Sequence, residues 1–151
     1  MQVKIRKAKL EEAKIIKSLL DGYESENVVP RALSYLYENI RDYFVAEEEG
    51  EVVGCAALHV SWGDLAEVKS LAVANGKTKK GIGTFLVETC LKEAKEMGFP
   101  KVFTLTAVPE FFEGLGFKRI DKNELPIKIW GECMDCIKYP DCCEEALMKK
   151  I

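Results

Sequence analysis

An apolar run, Leu71-Ala72-Val73, leads into a basic turn with two closely spaced glycines, Lys79-Lys80-Gly81-Ile82-Gly83-Thr84. A strand, a glycine turn and a helix start in that order make an anion site. The first N–H groups of a helix have no intrahelical partner and point outward, and the helix dipole adds partial positive charge. Gly81 and Gly83 carry no Cβ, so a phosphate can approach the backbone closely. Lys77, Lys79 and Lys80 supply further charge. The chemistry implied is the holding of a phosphorylated ligand. Two nucleotide motifs fail. Counted from Gly76, a P-loop would reach its second glycine at Gly81, but Ile82 and Gly83 follow where Lys and Ser/Thr are required. A dinucleotide fingerprint would need a third glycine where Leu86 stands, and would lie after the first strand of the chain.

The elements that must position this turn are legible from periodicity. Residues 3–6 alternate as a strand, and 10–20 carry a helical apolar stripe that Asp21-Gly22 ends. Pro30 precedes a second helix over 31–40. Residues 43–47 and 52–60 read as a hairpin around Glu48-Glu49-Gly50-Glu51. Residues 65–73 form the strand entering the glycine turn. A long helix follows over 81–97, with Ile82, Phe85, Leu86, Cys90, Ala94 and Met97 on its core face, closed by Gly98-Phe99-Pro100. A strand over 101–106, a short helix over 109–114 and a strand over 117–121 complete the pattern.

Composition bounds the rest. A chain of 151 residues suits one domain with a real core. Hydrophobic residues make up 48%, a globular proportion. The net charge of −3 offers no general attraction for nucleic acid. No apolar run is long enough for a membrane helix, and Met1-Gln2-Val3-Lys4-Ile5-Arg6 has no apolar signal core. The expectation is a cytoplasmic protein with neither nucleic-acid nor membrane partners.

The Gly81-Ile82-Gly83 turn after Leu71-Ala72-Val73 resembles motif A of the GCN5-related N-acetyltransferases (GNAT), whose loop binds the pyrophosphate of acetyl-coenzyme A. Thirty residues after Gly81, Phe111-Phe112-Glu113-Gly114-Leu115-Gly116-Phe117 resembles a second family segment. Thr78 departs from the family's Gln or Arg. The resemblance covers roughly residues 3–120 and implies an α/β (α+β) fold: a mixed central sheet of about six to seven strands flanked by about four helices. It implies one acetyltransferase domain over 1–151, with a cysteine-rich tail at 131–151. Acetyl-CoA would be the co-substrate, held by Leu71, Ala72, Val73, Lys79, Lys80, Gly81, Ile82, Gly83, Thr84 and Phe112. In the family the strand before the glycine loop splays from its neighbour, and the pantetheine arm fills the gap. A backbone N–H near Leu71 would then receive the thioester oxygen as it gains negative charge.

By the same resemblance Glu67 is the general base. It shares a strand face with Lys69 and Leu71 by simple alternation. A carboxylate among apolar strands is a better base near neutrality than an exposed one; the alternative is a solvent-facing strand glutamate. His59, the single histidine, either relays the proton or is structural. The family's general-acid Tyr is matched by Phe112, which has no proton to give. Tyr43, Tyr35, Cys55 or water could replace it.

Further segments, among them Gly54-Cys55-Ala56-Ala57-Leu58-His59 and Leu125-Pro126-Ile127-Lys128-Ile129-Trp130, resemble the acetyltransferase domain of bacterial N-acetylglutamate synthases, and most closely the short stand-alone forms. The acceptor implied is L-glutamate, at the entry to arginine biosynthesis, and a homodimer is common in the family. A dicarboxylate needs cations, and Arg31, Arg41, Lys69 and Lys128 are the candidates. Another amine as acceptor, and a non-catalytic acyl-CoA sensor, remain as alternatives. Cys133, Cys136, Cys142 and Cys143 could ligate zinc, form disulfides or stay as free thiols. Cys55 and Cys90 sit at core-like positions.

Overall fold

The computed structural model describes residues 3–22, 31–74, 76, 81–125 and 145–151. Seven strands form one sheet. They are β1 (Val3–Lys7), β2 (Tyr43–Glu48), β3 (Glu51–Trp62), β4 (Leu65–Val73), β5 (Lys101–Thr106), β6 (Lys118–Ile120) and β7 (Glu145–Lys150). Four α-helices accompany them: α1 (Ala13–Asp21), α2 (Leu33–Glu38), α3 (Ile82–Met97) and α4 (Pro109–Glu113). The sheet order is β1-β2-β3-β4-β5-β7-β6, and every neighbouring pair is antiparallel except β4–β5. None of the described helices is long and apolar enough to cross a membrane.

Local chemistry accounts for these elements. On α1, Ala13, Ile16 and Leu20 recur at helical spacing and are fully buried. The β2–β3 hairpin turns through Glu49 and Gly50, both with positive φ, the backbone that a tight two-residue connection needs. Helix α3 buries Ile82, Leu86, Val87, Cys90 and Ala94. It ends at Gly98 in the left-handed region, where the N–H groups of Gly98 and Phe99 pair with the carbonyls of Lys95 and Ala94.

The two faces of the sheet carry different cores. One buries Phe44, Ala56, Leu58, Ala66, Val68 and Val102 against α3, with Phe112 and Phe117. On the other, α1 and α2 cover Tyr43, Val45, Cys55, Ala57 and Ala72. A smaller cluster of Leu65, Phe103, Leu125 and Ala146 lies beyond it.

The strand β7 has no counterpart in the sequence reading. Glu-Ala-Leu-Met-Lys-Lys shows little alternation, and its place is set by tertiary pairing with β5 along six residues and with β6 along three. The last residues of the 131–151 segment are thus an internal strand of the sheet.

Candidate active site

Parallel pairing between β4 and β5 is brief. It covers Ala66–Val102 and Glu67–Phe103, and no further pairs form. Beyond that point β5 pairs fully with β7 on its other side, and the Thr104 hydroxyl donates to the Val68 carbonyl at 2.8 Å. The remainder of β4 therefore runs along a gap, as the resemblance implied.

A bulge sits in the same stretch. Between Cys55–Ala72 and Ala57–Lys69, β3 advances two residues while β4 advances three. Ser70 absorbs the extra residue with φ of +56°, one of two non-glycine residues in that region among those described. Alternation is broken as a result. Glu67 and Lys69 share the α1/α2 face, and the Ser70 hydroxyl joins them there, bonded to Tyr43. Leu71 packs on the opposite, α3 face. The expectation that Leu71 shares a face with Glu67 and Lys69 is therefore corrected, because alternation does not survive a bulge.

Glu67 is 5% exposed and Lys69 6%. Their charged atoms are 4.0 Å apart. Lys69 is held above the ordinary lysine pKa: burial opposes its charge, but the Glu67 carboxylate and Tyr35 outweigh that cost. Across the β3–β4 ladder, His59 stands directly opposite Glu67, which puts the two side chains on one face at neighbouring positions. His59 Nδ1 is 2.7 Å from the Asp42 carboxylate. That aspartate lies just before β2, and sequence reasoning did not single it out.

Two cations surround Tyr35 on α2. The Arg31 guanidinium lies 4.8 Å from the ring centroid and the Lys69 ammonium 5.3 Å. The structure thus brings together Arg31, Lys69, Glu67 and His59 from the sequence candidates. Arg41 is different: it is exposed on a 3-10 turn, and its carbonyl accepts from Lys7. Lys79, Lys80, Lys128, Cys133, Cys136, Cys142 and Cys143 lie outside the described residues. Among the described residues no group of His, Cys, Asp and Glu is arranged to hold a metal.

At the far end of β4, Gly81 caps α3 in the left-handed region with φ of +79° and open space where a Cβ would stand. A Cβ on Gly83 would meet the Phe111 ring at 3.5 Å and Val73 at 3.9 Å. The aromatic bordering the turn is therefore Phe111. Phe112, expected at the cofactor, is buried, edge-on to both Phe111 and Phe117. Helical geometry turns adjacent residues to different faces, so only one of the pair can reach the glycines.

Two general-acid candidates are otherwise engaged. Tyr43 is fully buried and donates to the Ser70 hydroxyl at 2.9 Å. Cys55 is also fully buried, its sulfur 3.4 Å from the Ser70 carbonyl, and burial pushes its thiol up to about 12.

A glycine-capped helix follows a parallel strand pair that separates after two residues, and the buried Glu67 carboxylate stands where that pairing ends. The chain belongs to the acetyltransferase (GNAT) family, whose model matches residues 13–117. It is an acetyl-CoA-dependent acetyltransferase. It is 39% identical to an uncharacterized N-acetyltransferase of Chlorobaculum tepidum, covering 97% of this chain and 96% of that one. It is 36% identical to an amino-acid acetyltransferase of Mycobacterium tuberculosis, over 85% of this chain and 75% of that one. Among solved structures, N-acetylglutamate synthase from Neisseria gonorrhoeae, complexed with coenzyme A and N-acetyl-glutamate, matches with a TM-score of 0.89 at 25% identity. That match covers 99% of this chain and 35% of the larger one.

Proposed function

We propose that this acetyltransferase acts on the α-amino group of an acidic amino acid, L-glutamate first among them. The observation that carries the reading is the enclosed Glu67–Lys69 pair beside Arg31 and Tyr35, on the strand that runs along the β4–β5 gap. The similarity to amino-acid acetyltransferases and to a synthase solved with N-acetyl-glutamate supports it.

The reaction needs a neutral amine, a stabilised thioester oxygen and a leaving thiolate. Glu67 takes the ammonium proton, directly or through a water. The amine nitrogen bonds the thioester carbon, and the carbonyl oxygen gains charge against a backbone N–H near Leu71. The C–S bond then breaks. The CoA thiolate needs little help to leave, since a thiol's pKa is about 8.5. Arg31 and Lys69 supply the positive charge that a side-chain carboxylate requires. Gly81 to Thr84 offer free N–H groups and the dipole of α3 to the pyrophosphate. His59, held by Asp42, passes the proton from Glu67 towards solvent.

The test is steady-state turnover of acetyl-CoA with a panel of amino acids, thiol release being the readout. L-glutamate should give the highest kcat/KM, ahead of L-aspartate and L-glutamine. A preference for an uncharged or basic amino acid would overturn the acidic acceptor.

A further inference from the structure

Ser70 is the residue on which the bulge turns, and nothing in its type favours a positive φ. Glycine would adopt that backbone freely; serine does so at a cost of roughly 1 kcal/mol or more. Such a conformation persists only where the surroundings enforce it. Here two side chains from two strands converge on the one residue. Tyr43, from β2, donates its phenol O–H to the Ser70 Oγ at 2.9 Å. Cys55, from β3, directs its thiol to the Ser70 carbonyl oxygen at 3.4 Å. Both donors are fully buried. Burial raises both pKa values, so both groups keep the protons they donate. One strand over, Thr104 of β5 holds the Val68 carbonyl.

We propose that Tyr43 and Cys55 are positioning residues for acyl transfer: they clamp Ser70 in its left-handed conformation, and so aim the backbone N–H of the next residue, Leu71, into the gap that receives the thioester. The inference rests on the acyl group lying in the β4–β5 gap, and it is independent of which amine is the acceptor. It assigns a role to two groups that the proton transfers leave unused. A phenol two strands away from the gap acts through one hydroxyl on one backbone kink.

The test uses Tyr43→Phe, which deletes a single oxygen, with Ser70→Ala and the double variant. Two readouts are needed. Amide hydrogen exchange followed by mass spectrometry reports on residues 70–73 without any acceptor. Steady-state kinetics with the best acceptor separates kcat from KM. The expected result is exchange at least tenfold faster at residues 70–73 in Tyr43→Phe, with unchanged exchange in α3. Alongside it, kcat falls about tenfold while KM for acetyl-CoA stays within about twofold, because the pyrophosphate grip at the glycine turn is separate. Ser70→Ala and the double variant should match Tyr43→Phe, since all three break the same bond. Wild-type kcat in Tyr43→Phe would overturn the proposal, as would faster exchange spread evenly over the whole sheet. Absence of glutamate turnover in the wild type would sink the acceptor assignment alone, and the exchange result would still decide this one.

Discussion

Glu67 and Lys69 stand two residues apart on one face of β4, their charged atoms 4.0 Å apart and both side chains nearly sealed from solvent. Two opposite charges taken out of water together must serve either the fold or a ligand. For stability alone a buried pair gains little over apolar residues of similar volume. On the strand ladders Lys69 stands opposite Ala57 of the cluster under α1 and α2, and Glu67 opposite Phe103 of the third cluster. Positions between cores suit a binding site better than a staple.

Glu67→Gln tests the base directly. The amide keeps the shape and cannot take a proton. We expect kcat to fall by about 10²- to 10⁴-fold, with acetyl-CoA affinity from calorimetry within about threefold of wild type. An equal loss of coenzyme affinity would assign Glu67 to binding.

Lys69→Met removes one cation while leaving the apolar stem in place. KM for L-glutamate should rise about tenfold or more, with KM for acetyl-CoA unchanged, because the proposed role of this charge is to hold the acceptor's carboxylate. The variant also removes a buried positive charge 4.0 Å from Glu67, so a lower thermal midpoint accompanies the kinetic change. Arg31→Lys, which keeps charge but loses the planar fork over Tyr35, should show the KM effect with a smaller thermal cost.

The site was only partly legible in the chain. The bounds of β4 and β5 agree with the sequence reading to the residue, since both are apolar runs closed by turn-forming neighbours. The glycine turn was legible because two glycines stand close together at a helix start, and Gly81 at least has a conformational reason to be glycine. The bulge was not, because it falls on a serine and is imposed by Tyr43 and Cys55 from other strands. Nor was the Asp42–His59 contact, which joins residues 17 apart through the β2–β3 pairing. The strand β7 was hidden for a related reason: its pairing with β5 and β6 is long-range, and its own sequence shows little preference.

Cys55 and Cys90 make a prediction about alkaline pH. Burial pushes both thiols up to about 12 from an ordinary value near 9. Both pKa values are raised in the folded protein. The associated stability is therefore complete below the unfolded value and is lost as pH rises towards the folded one. Between roughly pH 9 and 12 the unfolded chain has shed protons that the native state keeps. Each thiol should then cost about 1.4 kcal/mol of unfolding free energy per pH unit. Urea unfolding from pH 8 to 10.5 under reducing conditions should show a steeper decline for wild type than for Cys55→Ala/Cys90→Ala. Parallel slopes would mean that the two thiols ionise as readily folded as unfolded.

Gly81 and Gly83 separate folding from binding in the turn proposed to hold the coenzyme. Gly81 caps α3 at a φ of +79° that an L side chain rarely adopts, although nothing crowds the space around it. Gly81→Ala therefore acts through backbone strain, and should lower stability by about 1–2 kcal/mol. Gly83 is inside the first turn of α3 with ordinary helical backbone, and a Cβ there meets Phe111 and Val73 only at van der Waals distance. Gly83→Ala should fold at least as well as wild type, since alanine favours the helix by about 0.8–1 kcal/mol over glycine. Its new methyl nonetheless stands at the helix N-terminus, where a phosphate must approach the N–H groups. Coenzyme A affinity should drop about tenfold or more in Gly83→Ala while its thermal midpoint holds or rises. If calorimetry shows unchanged coenzyme A binding in Gly83→Ala, the pyrophosphate does not lie against the first turn of α3.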